Sequence, residues 1–175
     1  PTSNGNQTIC VGQTLPNLSV AVGSNTTVDW YSAASSGTLL QTGNTNYTPT
    51  AAGTYYAQAR NTINNCTSSS RTAVSLTINA LPTIAVASTN CSTDLLTYTA
   101  TISTNGTITT TTGGTISGNT VINIPANTSI TVTTTLAGCT NSIVVNAPVC
   151  ICPAVPSPTS NGNQTICVGQ TLPNL

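Results

Sequence analysis

The first eighteen residues of the chain return at its other end. Residues 1–18 read PTSNGNQTICVGQTLPNL, and residues 158–175 read the same, an offset of 157 positions. Chance does not produce a match of that length, and self-similarity at a fixed period is the mark of repeat architectures. The sequence reads as one unit of 157 residues followed by the start of the next copy, residues 158–175. Pro1 then reads as a cut inside a longer polypeptide. Whatever one unit folds into must tolerate a copy of itself before and after it.

Composition narrows the choice of fold. The charged residues are Asp29, Arg60, Arg71 and Asp94, and Lys, Glu, His, Met and Phe are absent. The net charge is zero, which leaves no electrostatic handle for nucleic acid or an anionic membrane. Disorder goes with low hydrophobicity and high net charge. Here 38% of the chain is apolar, in short runs rich in Val, Ile, Thr and Tyr. Those residues favour strands, and the straight-chain helix formers are scarce, so the expectation is all-β. No apolar run approaches the ~20 residues of a membrane span.

The chain holds seven cysteines, at 10, 66, 91, 139, 150, 152 and 167, and Cys167 is Cys10 of the next copy. One unit therefore carries an even set of six and no His to share a metal site. No pair of C-x-x-C spacings occurs, so zinc is not expected and the set reads as a disulfide framework from an oxidising compartment.

Strand signals follow one another at short intervals. The predicted strands are Gln7–Val11, Leu15–Val22, Thr27–Ala33, Thr38–Gln41, Asn46–Pro49, Gly53–Arg60 and Arg71–Ile78. Alternation places Val28 and Trp30 on one face of their strand and Asp29 and Tyr31 on the other. Trp30, the only Trp, is expected as a core anchor, with Tyr55 as a second. About seven strands in roughly 80 residues, with turn signals every 8–12 residues, predict a β-sandwich.

The order ICVG, DWYS, YTPTAAGTYYAQA and NNCTSSSRTAVSLTI resembles the immunoglobulin-like modules of giant surface proteins of Bacteroidota. Trp30 stands where an immunoglobulin core Trp stands, and GTYYA resembles the approach to the tyrosine corner. One departure is clear: the position two residues after the corner tyrosine holds no Cys, and Cys66 comes later, in the turn before the last strand. The resemblance thus implies a Cys10–Cys66 bridge that ties the N-terminal segment to the final hairpin.

Ala80-Leu81-Pro82 reads as a linker, and a second set of strand signals follows it. These are Thr83–Ala87, Leu95–Ile102, Thr107–Thr112, Val121–Ile124, Ser129–Leu136 and Ser142–Val145. Cys139 precedes the last strand as Cys66 does, and by that analogy Cys91–Cys139 is the expected bridge. Cys150 and Cys152 either pair with each other, which is the favoured option, or exchange into the 91/139 pair, or reach a neighbouring repeat. The architecture expected is two tandem immunoglobulin-like β-sandwich domains per repeat of 157 residues, 1–80 and 81–157, the second carrying a Pro-rich junction. Pro153, Pro156 and Pro158 stiffen that junction, since Pro-rich linkers extend. A rod advancing about 70–80 Å per repeat follows from ~3.3 Å per strand residue.

Catalysis is not expected. Acids, bases, nucleophiles or metals are needed, and the chain has two Asp and no His, Lys or Glu. No cofactor or metal is expected either, since two distant carboxylates make a poor calcium site. Asp29 beside Trp30 imitates a sugar site, but the plainer reading is an exposed strand Asp paired with Arg60 or Arg71.

The function expected is a stalk segment of a long extracellular fibre or adhesin, with adjacent repeats as its partners and a surface or glycan as the ligand of the whole. The resemblance further implies type IX secretion, anchoring at the outer membrane and a role like that of SprB-type gliding adhesins, which are moved by motility machinery. Two alternatives stand beside it. Thr-rich runs such as TITTTT and SITVTTT present hydroxyl arrays to a polysaccharide or to ice. Alternatively, residues 158–175 complete a fold in a neighbouring subunit of a non-covalent filament.

Overall fold

The computed structural model describes residues 1–152. The prolines of the junction (Pro153, Pro156, Pro158), the repeated segment 158–175 and Cys167 lie outside the described residues.

The chain builds two sandwiches in succession. The first uses β1 (Thr2–Ser3), β2 (Gln7–Cys10), β3 (Leu18–Ala21), β4 (Thr26–Tyr31), β5 (Leu39–Gln41), β6 (Asn46–Tyr47), β7 (Gly53–Asn61) and β8 (Thr72–Asn79). A small sheet, β1-β3-β6, packs on a larger one, β2-β8-β7-β4-β5. Pairing is antiparallel except between β2 and β8, which run parallel from Gln7↔Leu76 to Cys10↔Asn79. That register brings Cys10 to the pole where the chain leaves for the second sandwich. At the opposite pole stand the turn before β4 and the 61–66 turn, joined by Thr62 N–H to Asn25 C=O at 2.9 Å.

Alternation decides what this core contains. Leu18 and Val20 from β3, Val28 and Trp30 from β4, Ala57 from β7, and Val74 and Leu76 from β8 are buried together. Trp30 is fully enclosed, and its indole N–H donates to Asn44 C=O at 2.9 Å. Its ring stacks on Tyr47 of the other sheet, centroids 5.6 Å apart, and Tyr47 meets Tyr55 at 5.0 Å. Tyr55 lies at the core's edge, where its hydroxyl donates back to Ala51 C=O at 2.8 Å. This is the tyrosine-corner bond at the start of its strand. An aromatic contact thus spans the sheets where an antibody domain has a disulfide.

The second sandwich uses β9 (Ile84–Cys91), β10 (Thr97–Thr104), β11 (Thr107–Thr111), β12 (Thr115–Ser117), β13 (Thr120–Pro125), β14 (Ile130–Leu136) and β15 (Cys139–Val145). Its sheets are β12-β13-β10-β9 and β11-β14-β15, the four-plus-three arrangement of a constant-type immunoglobulin domain. Tyr98, Ala100, Ile102, Ile108, Val121, Ile124, Ile130, Val132 and Val145 form its core. Tyr98 lies inside with its hydroxyl donating to Thr128 C=O at 2.7 Å, and burial raises its pKa. The sequence pattern does not announce β1 and β12, which are two and three residues long and lie among turn residues.

The disulfides differ from expectation. Cys10 bonds Cys139, and Cys91 bonds Cys150. Neither Cys10–Cys66 nor Cys91–Cys139 forms, because each would join opposite poles of one sandwich. Cys10 is level with the end of β8, while Cys66 follows the far end of β7. Eight strand residues separate those levels by about 25 Å, against a limit of ~7 Å between bridged Cα atoms. Cys91 likewise ends β9 at one pole while Cys139 opens β15 at the other. Cys150–Cys152 does not form either, since Cys150 reaches Cys91 with Cα atoms 5.7 Å apart. Cys66 and Cys152 are exposed thiols with no partner among the described residues.

Replacing the enclosed indole leaves the first sandwich without its largest core group and its contact between sheets. Trp30→Ala is expected to lower the unfolding free energy by about 3–5 kcal/mol. Urea unfolding followed by circular dichroism checks this, with the second sandwich's transition expected to stay in place.

Candidate functional site: the polar sheet face and the joint

Two places gather the polar chemistry of the chain. One is the outer face of the large sheet of the first sandwich. The register Asp29↔Gln58 and Tyr31↔Tyr56 sets these residues side by side there, with Arg60 one pleat further along β7. Arg60 grips Asp29 with two nitrogens, Nε to Oδ2 at 2.7 Å and Nη2 to Oδ1 at 3.2 Å, and Gly43 N–H donates to Oδ1 at 3.0 Å. Asp29 is therefore paired with Arg60, as one of the two options read from the sequence, but it is buried rather than exposed, at 6%. The Arg60 guanidinium, with help from Gly43, holds its carboxyl below the usual aspartate range against the opposing effect of burial.

Arg71 is engaged just as fully. Its guanidinium lies over the Tyr31 ring at 3.4 Å, a cation–π contact. Its Nε reaches Gln58, and Nη1 donates to Ala33 C=O at 2.7 Å and Ser36 C=O at 2.6 Å. These bonds pin the loop between β4 and β5 to the sheet. Among the described residues no buried side-chain nitrogen or oxygen lacks a partner. The face is closed on itself and presents no carboxylate to a ligand. Among the described residues no cluster of His, Cys, Asp and Glu could hold a metal ion.

The Thr-rich strands behave similarly. The Thr109 and Thr135 hydroxyls meet at 3.1 Å, and the Thr133 and Ser142 hydroxyls at 2.8 Å. Hydroxyls on this face bond one another across strands, so the array is internally occupied at these positions.

The second place is the joint between the sandwiches. Ala137 and Gly138 both have positive φ, 49° and 80°, and turn the chain tightly between Leu136 and its partner Cys139. Positive φ at both central residues is the geometry of a two-residue hairpin turn. It puts Cys139 at the tip that faces the first sandwich. On that side, Val11 N–H donates to Asn79 C=O and Gln13 Oε1 accepts from Cys10 N–H at 2.7 Å, which holds the Cys10 turn in place. The Cys10–Cys139 bond then crosses from one sandwich to the other. Asn79 Nδ2 donates to Ala137 C=O at 2.9 Å, and Asn141 Nδ2 to Pro82 C=O at 3.0 Å. Gly106 completes the contact: a Cβ there would stand 2.7 Å from Thr135 C=O and 3.1 Å from Pro82 Cβ. The sequence names both cysteines of this bond, but the expected pairings put Cys10 with Cys66 and Cys139 with Cys91, each inside one domain. The shared place of Cys10 and Cys139 beside the linker was the signal that could have joined them.

Comparison with known proteins agrees with this architecture. Residues 1–79 match the family described as "Ig-like domain CHU_C associated". No curated protein matches the sequence. Among solved structures, the chain is similar to the N-terminal eight immunoglobulin domains of Down Syndrome Cell Adhesion Molecule, isoform 1.30.30. That match has 13% identity and a TM-score of 0.52, and covers 85% of this chain and 27% of that one. It is also similar to immunoglobulin domains 1–4 of Sidekick-1, at 13% identity and a TM-score of 0.43, covering 83% and 46%. The chain thus spans less than half the length of either structure. At this identity the likeness concerns the fold, which is all-β and immunoglobulin-like.

The Asp29 pair has a pH signature. The folded carboxyl titrates below its unfolded value, so its stabilisation is present above the ordinary aspartate value of 3.8 and is lost as pH falls through the folded pKa. Asp29→Asn is expected to cost about 1.5–3 kcal/mol at pH 7, the scale of hydrogen bonds to a charged group. It should also flatten the loss of stability in acid. Urea unfolding at pH 7, 4.5 and 2.5 measures both effects.

Proposed function

We propose that these immunoglobulin-like sandwiches form a stalk segment of a long extracellular surface fibre or adhesin. The observation that carries the reading is the Cys10–Cys139 bond, which clamps consecutive sandwiches at their joint. A module made only to bind a ligand has no need of such a clamp; a spacer that must hold its direction does. The disulfides fit an oxidising, exported setting. The repeated segment fits a tandem series in which each unit contacts its neighbours. The likeness to adhesion-molecule domains supports the fold that such a spacer needs.

The finer reading rests on the sequence resemblance of the first sandwich. In it the chain belongs to a SprB-type gliding adhesin, is exported by the type IX route, and is carried at the outer membrane by motility machinery. Its partners are the adjacent repeats, and the surface ligand belongs to the whole fibre.

Two measurements test the proposal. The native polypeptide on a denaturing, reducing gel is expected at a mass of many units; a mass near 17.6 kDa overturns the stalk reading. In the full chain, Cys10→Ala with Cys139→Ala is expected to leave both sandwiches folded while broadening the end-to-end distance seen by solution X-ray scattering. An unchanged scattering profile would show that the bond does not set the joint.

A further inference from the structure

The two thiols without a partner among the described residues, Cys66 and Cys152, sit at the two ends that consecutive repeats bring together in the tandem reading. Cys66 lies in the 61–66 turn, where Asn61 N–H donates to Cys66 C=O at 2.8 Å, at the pole of the first sandwich remote from the joint. Pro1 reaches the same side: Thr2 pairs with Ala21 at the end of β3, and an open cleft there is lined by Pro1, Val22, Gly23 and Ala59. In the tandem reading a preceding repeat arrives at this pole. Cys152 lies at the far pole of the second sandwich, two residues beyond Cys150, which the bond to Cys91 ties down there.

The joint inside the repeat supplies the pattern. Cys139 stands at the hairpin before the last strand of its sandwich, and it bonds a cysteine on the near pole of the sandwich before it. Cys66 stands between the last two strands of the first sandwich, the equivalent place. Its counterpart on the sandwich before it, one repeat earlier, is Cys152, because Cys150 is already paired. A second observation marks the same two ends. Ile63 beside Cys66, and Leu96, Val149 and Ile151 around the pole that carries Cys152, are each at least 70% exposed. Apolar side chains gathered at surface sites mark places of contact, and stacking these poles covers them.

From this geometry we infer that Cys66 of one repeat is bonded to Cys152 of the repeat before it, so that every joint along the fibre is closed by a disulfide. The chain length permits it. Six residue steps separate Cys152 from Pro158, the equivalent of Pro1. A chain of that many residues reaches at most about 20–22 Å, enough to cross the end of a sandwich whose sheets lie about 10 Å apart. The bond forms by exchange with the disulfide of an export-compartment oxidant, the chemical class that also closes Cys10–Cys139. The Cys66 thiolate attacks one donor sulfur and displaces one donor thiolate. The Cys152 thiolate then attacks the Cys66 sulfur and displaces the second, and the two thiol protons end on the donor's dithiol.

The inference rests on the tandem reading of the proposed function, and the test separates the two. Native polypeptide is alkylated without reduction and cut with trypsin, which acts at Arg60 and Arg71 and so releases residues 61–71 with Cys66 inside. The expected result is that this fragment appears only after reduction, and that before reduction it is attached to a fragment containing Cys152. Mass on a non-reducing gel should not exceed the reduced mass. In the full chain, Cys152→Ser should release the 61–71 fragment in alkylated form. Recovery of that alkylated fragment from the unaltered protein, its attachment elsewhere, or a doubled non-reduced mass overturns the bridge. A native mass of one unit defeats the stalk reading whatever Cys66 does, whereas a large mass with a free Cys66 defeats the bridge alone.

Discussion

A covalent bond between sandwiches is the constraint on which the rest of this structure turns. Cys10 and Cys139 belong to different cores, yet they are joined with Cα atoms 5.6 Å apart. The parallel run of β2 beside β8 delivers Cys10 to the joint, and the tight Ala137-Gly138 turn delivers Cys139 from the other side. Asn79 then bonds Ala137 across the joint, Asn141 bonds Pro82 of the linker, and Gly106 leaves room for Thr135 and Pro82. On the chain-entropy account, closing loops of 129 and 59 residues stabilises by about 4–5 kcal/mol each. For domains of this size, which bury modest cores, that is a large share of the whole.

Placing both bridges at the poles leaves the centre of each sandwich to side-chain packing. The first core is organised by Trp30, whose ring reaches Tyr47 across the sheets while its N–H is satisfied by Asn44. The second is organised by Tyr98 and aliphatic residues. With so few charges, polar order falls to amides and hydroxyls. The Asp29–Arg60 pair is the one ion pair among the described residues, and it serves the loop at Gly43 as much as the sheet. Arg71 does the same for the loop between β4 and β5. A chain built this way depends little on ionic strength for its fold, because its exposed charges are few and engaged.

Period-2 alternation makes most strands legible in the sequence. Val28 and Trp30 point in and Asp29 and Tyr31 out, and β7 and β8 lie within a residue of their predicted bounds. Local pattern is blind to β1 and β12, which lie among turn residues. Asp29 also escaped it. Alternation places the residue on the outer face, but only the return of Arg60 along β7 and of Gly43 from the next loop buries it there.

By itself the sequence determined the return of residues 1–18 at an offset of 157, the all-β class and the identity of Trp30 as a core residue, because each follows from local composition or spacing. The pairing of its cysteines was decided only in three dimensions. The family resemblance, and analogy with it, implies one bridge inside each domain, yet a strand carries its two ends to opposite poles. Cysteines adjacent in a scheme of domains are then far apart, and those on facing poles of successive sandwiches meet. Bond formation depends on distance through space, which a linear pattern of strands does not contain until the sandwiches are stacked.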